Sequence, residues 1–144
     1  MNVLLLLLAS LSPLEGVETE AARKAYMRET VIGVDQIIAH RGASVERPEC
    51  TLSSIERAIQ VGATAVEVDI RTTKDGALVI MHDATVDRTT DGSGQVNELT
   101  LAEIQKLDAG SWFSKRFRGE PVPTLQDVLE TCKGRIDVVL DLKE

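Results

Sequence analysis

Short apolar strands alternate with amphipathic helices from residue 37 onward, and four of the strands end in charged or imidazole side chains. This pattern predicts an α/β fold built on a parallel sheet. Polar strand ends converging on one mouth narrow the expectation to a (β/α) TIM-type barrel, truncated after about the fourth strand. A complete barrel of this class takes eight strands and about 250 residues, whereas the sequence has 144. The first and fourth strands are then expected to be open edges.

Each element has a local reason. Residues 37–39 (IIA) read as a short buried strand. Thr51 caps a helix in which Leu52, Ile55, Ala58 and Ile59 recur at three- and four-residue spacings, and Gly62 ends it. In AVEVDI (65–70), Val66, Val68 and Ile70 alternate with Glu67 and Asp69, the period of a strand. ALVIMHD (77–83) is a continuous apolar run ending in His82 and Asp83, the composition of a strand buried on both faces. The chain between Asp69 and His82 is too short for a crossover helix, and Asp75-Gly76 marks a tight turn. The chain is therefore expected to descend from Asp69, turn and climb back, leaving Asp69 and His82 at similar height. TLQDVLETCKG (124–134) reads as a helix with Thr124 as N-cap, Asp127 completing a capping box and Gly134 as terminator. IDVVLDLK (136–143) reads as a further buried strand. Residues 85–123 form an insertion, with a capping box at Thr100 and Glu103. Its Trp112, Phe113 and Phe117 are expected to make a small core of its own, or to line a substrate pocket.

Composition excludes several function classes. With 43% hydrophobic and 27% charged residues the chain is globular rather than disordered. Its 16 basic and 23 acidic residues give a net charge of −7 with no basic run, which argues against a nucleic-acid partner. A small anionic substrate can still be held by a local basic pocket or a metal. Cys50 and Cys132 share no metal-ligand spacing and read as buried thiols rather than a disulfide. Residues 1–36 read as a signal-like leader and linker. VLLLLLA (3–9) is too short to span a bilayer, and its length suits a signal-peptide core, although no Lys or Arg precedes it. A secreted or periplasmic location is the expectation, with the cytoplasm as the alternative. No stable transmembrane span is expected, and the sequence does not fix an oligomeric state.

The polar strand ends carry the chemistry. Glu67 and Asp69, two apart on a strand, point the same way, and two anions held together call for a cation. With Asp141 from the last strand the set is all oxygen, suited to Ca²⁺ or Mg²⁺ rather than zinc. The plainer reading is a solvated polar face. His40 and His82 are the only histidines and both end apolar strands, which fits a general acid and base. Arg41 can fork onto a phosphate, or simply bridge to Glu49. Lys143 should point into the same mouth as Asp141.

AHRGASVERPECTL, VEVDIRTTKDGALVIMHDATVDRTTDGSG and the pair VPTLQDVL and VVLDLK together resemble the glycerophosphodiester phosphodiesterase family, over roughly residues 37–144. The resemblance implies a phospholipase C-like phosphodiesterase barrel with residues 37–144 as its N-terminal half. It also implies metal-dependent hydrolysis of glycerophosphodiesters to glycerol 3-phosphate and an alcohol. By the family's motifs His40 and His82 correspond to the acid/base pair, Arg41 to a phosphate contact, and Glu67 and Asp69 to metal ligands. Asp141 stands where the family usually has Glu, and Cys50 where it usually has Asn. Lys143 is expected beside the substrate phosphate. Two alternatives stand beside this reading: an inactive fragment that only binds a cation or self-associates, and phospholipase D-like hydrolysis of lysophospholipids.

Overall fold

The computed structural model describes the backbone of residues 3–6 and, in full, residues 36–143. Its strands are β1 (Val3–Leu6), β2 (Gln36–His40), β3 (Ala65–Thr72), β4 (Leu78–Ile80) and β5 (Asp137–Leu142). Its helices are α1 (Leu52–Val61), α2 (Leu101–Ile104) and α3 (Leu125–Cys132), with single 3₁₀ turns at Val96–Glu98 and Lys115–Phe117. The fold is α/β, with the parallel sheet and covering helices of a (β/α) barrel.

Strand β3 organises the sheet. On one side β2 runs parallel to it, pairing Ile38 with Ala65 and His40 with Glu67. On the other side β5 runs parallel, from Ala65 opposite Asp137 to Ile70 opposite Leu142. Ile70 also pairs with Ile80 of antiparallel β4, so β4 lies on the β2 side, continuing the sheet beyond His40. All six residues from Ala65 to Ile70 are buried. Their strict alternation therefore separates two buried faces rather than a wet face from a dry one.

The helices start and stop where their sequences direct. Thr51 Oγ1 accepts the Ser54 N–H at 3.3 Å while Ser54 Oγ accepts the Thr51 N–H at 3.4 Å, so a serine completes the capping box of α1. Gly62, at φ +88°, ends that helix by donating its N–H to Ala58 and Ile59. In α3, Thr124 and Asp127 form the reciprocal box with bonds of 2.8 and 3.1 Å.

One core cluster joins Ile55, Ala58 and Ile59 of α1 and Val128 and Cys132 of α3 to Val66, Val68 and Ile70 of β3. Ile55 is fully buried, and its truncation to Ala is expected to cost about 2–5 kcal/mol. A second cluster, Val79, Met81, Val86, Val96, Ile104, Ala109 and Val122, holds the insertion onto the hairpin. The Lys74 N–H bond to Leu99 O (2.9 Å) and the Leu101 N–H bond to Asp75 Oδ1 (3.0 Å) tie the two together.

The hairpin forms as its composition predicts. Gly76 (φ +83°) turns the chain, its N–H bonding Thr73 O at 3.0 Å, and Met81 N–H returns to Asp69 O at 3.0 Å. Asp69 and His82 thus lie at the same end of the sheet.

Four expectations need correction. The run 77–83 is not strand throughout, nor buried from its start: only Leu78–Ile80 is strand, antiparallel to β3 as the turn requires, and Leu78 is 42% exposed. Residues 136–143 are not buried: Val139, Leu140 and Leu142 are 38%, 45% and 75% exposed. The reason is that β5 pairs only with β3 among the described residues, and an apolar run cannot encode whether a neighbour covers it. The first barrel strand is not an open edge, because β1 pairs with it in parallel from Val3 opposite Gln36 to Leu6 opposite Ala39. The leader and linker reading of residues 7–35 lies outside the described residues. Lastly, the insertion's core is aliphatic. Trp112, Phe113 and Phe117 instead stack edge to face, with centroids 5.7 and 5.8 Å apart and the Arg47 guanidinium 5.0 Å above Phe117. Trp112 stays 39% exposed, its indole N–H satisfied by Ala109 O at 2.9 Å. The branched aliphatics already fill the interior, leaving the rings to pack on one another.

Candidate active site

The β2–α1 loop is wound tightly. Arg41, Gly42 and Cys50 all hold left-handed backbone, with φ of +57°, +80° and +57°. Non-glycine residues enter this region only where their surroundings enforce it. The enforcement is visible: Arg41 O accepts Cys50 N–H at 3.1 Å and the Ser54 hydroxyl at 3.2 Å, and Ser44 Oγ donates to His40 O at 3.0 Å. A Cβ on Gly42 would lie 2.3 Å from Ser54 Oγ, so only glycine lets the loop press against α1. The result is that His40 and Arg41 stand over the end of β3.

Three carboxylates meet there. Glu67, Asp69 and Asp141 each offer an oxygen, and these oxygens lie within 4.8 Å of one another. Strand register causes this, since Asp69 and Asp141 are direct partners and Glu67 is two residues along the same face. Burial pushes Glu67 up from the ordinary carboxylate value and the Asp69 charge adds to it, against the Arg41 N–H that Glu67 Oε2 accepts at 3.0 Å. Asp69 is 1% exposed; its Oδ1 has no aligned hydrogen bond, only the charge of Lys143 Nζ at 3.2 Å. Its Oδ2 faces Arg41 Nε at 3.4 Å and Cys50 Sγ at 3.7 Å. Asp141 pairs with Lys143, whose hydrogen bond chiefly holds it below the ordinary value, with the charges of His82 and His40 contributing. An all-oxygen donor set with a buried oxygen lacking a hydrogen bond suits a hard divalent cation, which Glu67, Asp69 and Asp141 would hold.

The two imidazoles flank this cluster. His40 Nε2 is 3.8 Å from Glu67 Oε2. His82 places Nδ1 2.6 Å from Asp83 Oδ1, while its backbone carbonyl accepts Arg71 Nε at 3.0 Å and Nη2 at 2.8 Å. Arg71, on β3, therefore anchors the chain where it leaves β4. Arg41 directs Nη1 to Glu49 Oε1 at 3.0 Å, so the bridge to Glu49 is present. Lys143 points into the mouth as expected, its ammonium on Asp69 and Asp141. A cleft of about 230 Å³ opens beside it, lined by Arg71, Gln95 and Asn97 among others. A larger apolar groove between α3 and the hairpin, lined by Leu78, Leu101 and Leu129, shares no residue with the cluster.

Sequence reasoning assigns no role to Arg88, which binds Asp83 at 2.7 Å and Glu49 at 2.8 Å. Its signal in the sequence is slight, a cation five residues after Asp83. The Cys50 thiol, pushed well up by burial and then by the Asp69 charge, stays protonated beside that carboxylate. Both cysteines are free and buried.

The model of the glycerophosphoryl diester phosphodiesterase family matches residues 40–142. A glycerophosphodiester phosphodiesterase of Caldanaerobacter subterraneus is 53% identical over 94 residues, 65% of this chain and 39% of that protein. The crystal structure of a glycerophosphodiester phosphodiesterase from Agrobacterium tumefaciens superposes with a TM-score of 0.74 at 45% identity, over 76% of this chain and 47% of that one. A phosphodiesterase from Oleispira antarctica, solved with the product sn-glycerol-3-phosphate, gives a TM-score of 0.73 at 43% identity, over 75% and 44%. The chain spans less than half the length of these relatives. Among the described residues, no helix is long and apolar enough to cross a membrane. Matched by the family model over residues 40–142, the chain belongs to the glycerophosphoryl diester phosphodiesterase family.

Proposed function

We propose that this site hydrolyses glycerophosphodiesters to glycerol 3-phosphate and an alcohol, with a divalent cation, Ca²⁺ or Mg²⁺, held by Glu67, Asp69 and Asp141. The observation that carries the reading is the gathering of three carboxylate oxygens within 4.8 Å at the strand ends that also bear His40, Arg41 and His82. When bound, the cation would supply positive charge to the non-bridging phosphate oxygens.

The remaining chemistry falls to side chains. Asp83 occupies Nδ1 of His82 and so leaves Nε2 as the atom that exchanges a proton with substrate. One imidazole removes the proton of the attacking hydroxyl as the new P–O bond forms. The other protonates the alcohol oxygen as the old P–O bond breaks. Where the attacking hydroxyl is the neighbouring glycerol OH, this leaves a cyclic phosphate. Water then opens it to glycerol 3-phosphate with the two imidazoles in reversed roles, restoring their protons. Arg41, with one nitrogen on Glu49 and another near Asp69, adds a fixed positive charge beside the phosphate.

The test is release of glycerol 3-phosphate from glycerophosphocholine by this chain, with Ca²⁺ or Mg²⁺ and with EDTA. Metal-dependent release, lowered about 10²- to 10⁴-fold in His40→Ala and His82→Ala, is the expected result. Release that survives EDTA, or either substitution, would overturn the assignment. A folded chain that binds the cation without turnover would favour the binding-only reading.

A further inference from the structure

We propose that Arg88 is a positioning residue of this site, clamping Asp83 to Glu49 and thereby fixing the His82 ring relative to Arg41. The proposal rests on the phosphodiesterase reading in that His82 and Arg41 are the groups it would align.

Arg88 sits in the insertion, 39 residues from Glu49, and spends its fork on two carboxylates at once. Nε donates to Asp83 Oδ2 at 2.7 Å and Nη2 to Asp83 Oδ1 at 3.0 Å. Nη1 donates to Glu49 Oε2 at 3.1 Å and Nη2 to Glu49 Oε1 at 2.8 Å. Each carboxylate then serves a site residue with the same oxygen: Asp83 Oδ1 meets His82 Nδ1 at 2.6 Å, and Glu49 Oε1 accepts Arg41 Nη1 at 3.0 Å. Nitrogen groups and carboxylates alternate without a break along His82, Asp83, Arg88, Glu49 and Arg41.

Stability is not the main product of this chain of contacts. The Arg88 side chain is 43% exposed, and a single ion pair in such a place contributes little. Orientation is the larger effect, because two bidentate pairs fix the carboxylate planes as well as their distances. With both its oxygens bound, Asp83 is held as the acceptor for Nδ1–H, which selects one ring tautomer. Without Arg88, Asp83 is free to turn, and nothing couples it to Glu49. Lysine cannot substitute, because a point ammonium does not reproduce a planar fork on two partners.

The experiment uses the chain labelled with ¹³C,¹⁵N-histidine. It contains two histidines, so two ring spin systems report on His40 and His82 separately. The wild type should show His82 as a single tautomer protonated on Nδ1. In Arg88→Met and in Arg88→Lys, His82 should become a mixture of Nδ1–H and Nε2–H forms while the His40 signals keep their shifts. A folded variant of either kind that retains the single Nδ1–H tautomer would overturn the proposal, and if the Met variant fails to fold, the Lys variant decides. This readout needs no turnover, so an inactive wild type would defeat the functional proposal while leaving this test intact. In active enzyme, both variants should lose up to about 10²-fold in kcat with a much smaller change in KM.

Discussion

Lys143 Nζ stands 3.2 Å from Asp69 Oδ1 and pairs at the same time with Asp141, so one ammonium bridges the ends of two neighbouring strands. It partly neutralises the carboxylates that would hold a cation.

Competition follows from that position. Lys143→Met should tighten binding of Ca²⁺ or Mg²⁺ by about two- to five-fold in a calorimetric titration. This is the small effect appropriate to an ammonium open to solvent, where water screens the charge. Weaker binding in the variant would show that the ammonium supports the cation instead of competing with it.

Acid should destabilise the fold through the Arg88 clamp. Burial, the largest single influence on Glu49, pushes its carboxyl up, but Arg88 and Arg41 together hold it below its ordinary value of 4.5. Asp83 is held far below 3.8, chiefly by its hydrogen bond to Arg88. Both folded-state values lie below the unfolded ones, so their contribution is present above the ordinary carboxylate range and fades as pH falls through the folded values. Glu67, raised by burial, acts in the opposite sense, its contribution fading as pH rises through its folded value. The melting temperature should fall from pH 5 to pH 3, and Arg88→Met should flatten that fall. An equally steep profile in the variant would place the acid sensitivity elsewhere.

Gly42→Ala should cost roughly 2–4 kcal/mol in urea unfolding, combining left-handed strain with overpacking. The new Cβ would meet Ser54 Oγ at 2.3 Å and the Ser54 backbone carbon at 2.8 Å, and backbone cannot swing aside as a side-chain tip can. A near-neutral result would mean that α1 slides to make room, and Arg41 would then move with it.

Neither thiol should react with Ellman's reagent in the native chain. Cys50 is 5% exposed and Cys132 is 2%, and burial pushes both thiols upward in pKa. Two equivalents should titrate in guanidinium chloride, and rapid reaction without denaturant would show that the β2–α1 loop opens.

What the sequence reveals follows the range of the interaction involved. The caps at Thr51 and Thr124, the stop at Gly62 and the turn at Gly76 are legible because each is decided within about five residues. The meeting of Glu67 with Asp69 is legible for the same reason, through the two-residue period. Arg88 with Glu49 is not, because a contact across 39 residues leaves no local pattern. Exposure of β5 is equally hidden: Val138, Val139 and Leu140 read as interior, yet burial depends on what lies alongside. The pairing of Val3–Leu6 with β2 is of that kind too, an apolar run whose partner only topology names.

The alignment of Asp69 with Asp141 also bears on how the molecule breathes. Like charges set directly opposite on paired strands oppose their own registry, and β5 has a partner on one side only among the described residues. Central β3, tied to β2 and β5 and backed by α1, is the last part to open, while β5 detaches at lower free energy as a local unit. Amide hydrogens from Asp137 to Leu142 are therefore expected to exchange ahead of those from Ala65 to Ile70. A divalent ion shared by the two strands would slow that exchange, so that the rim of the sheet reports occupancy through its rate of fraying.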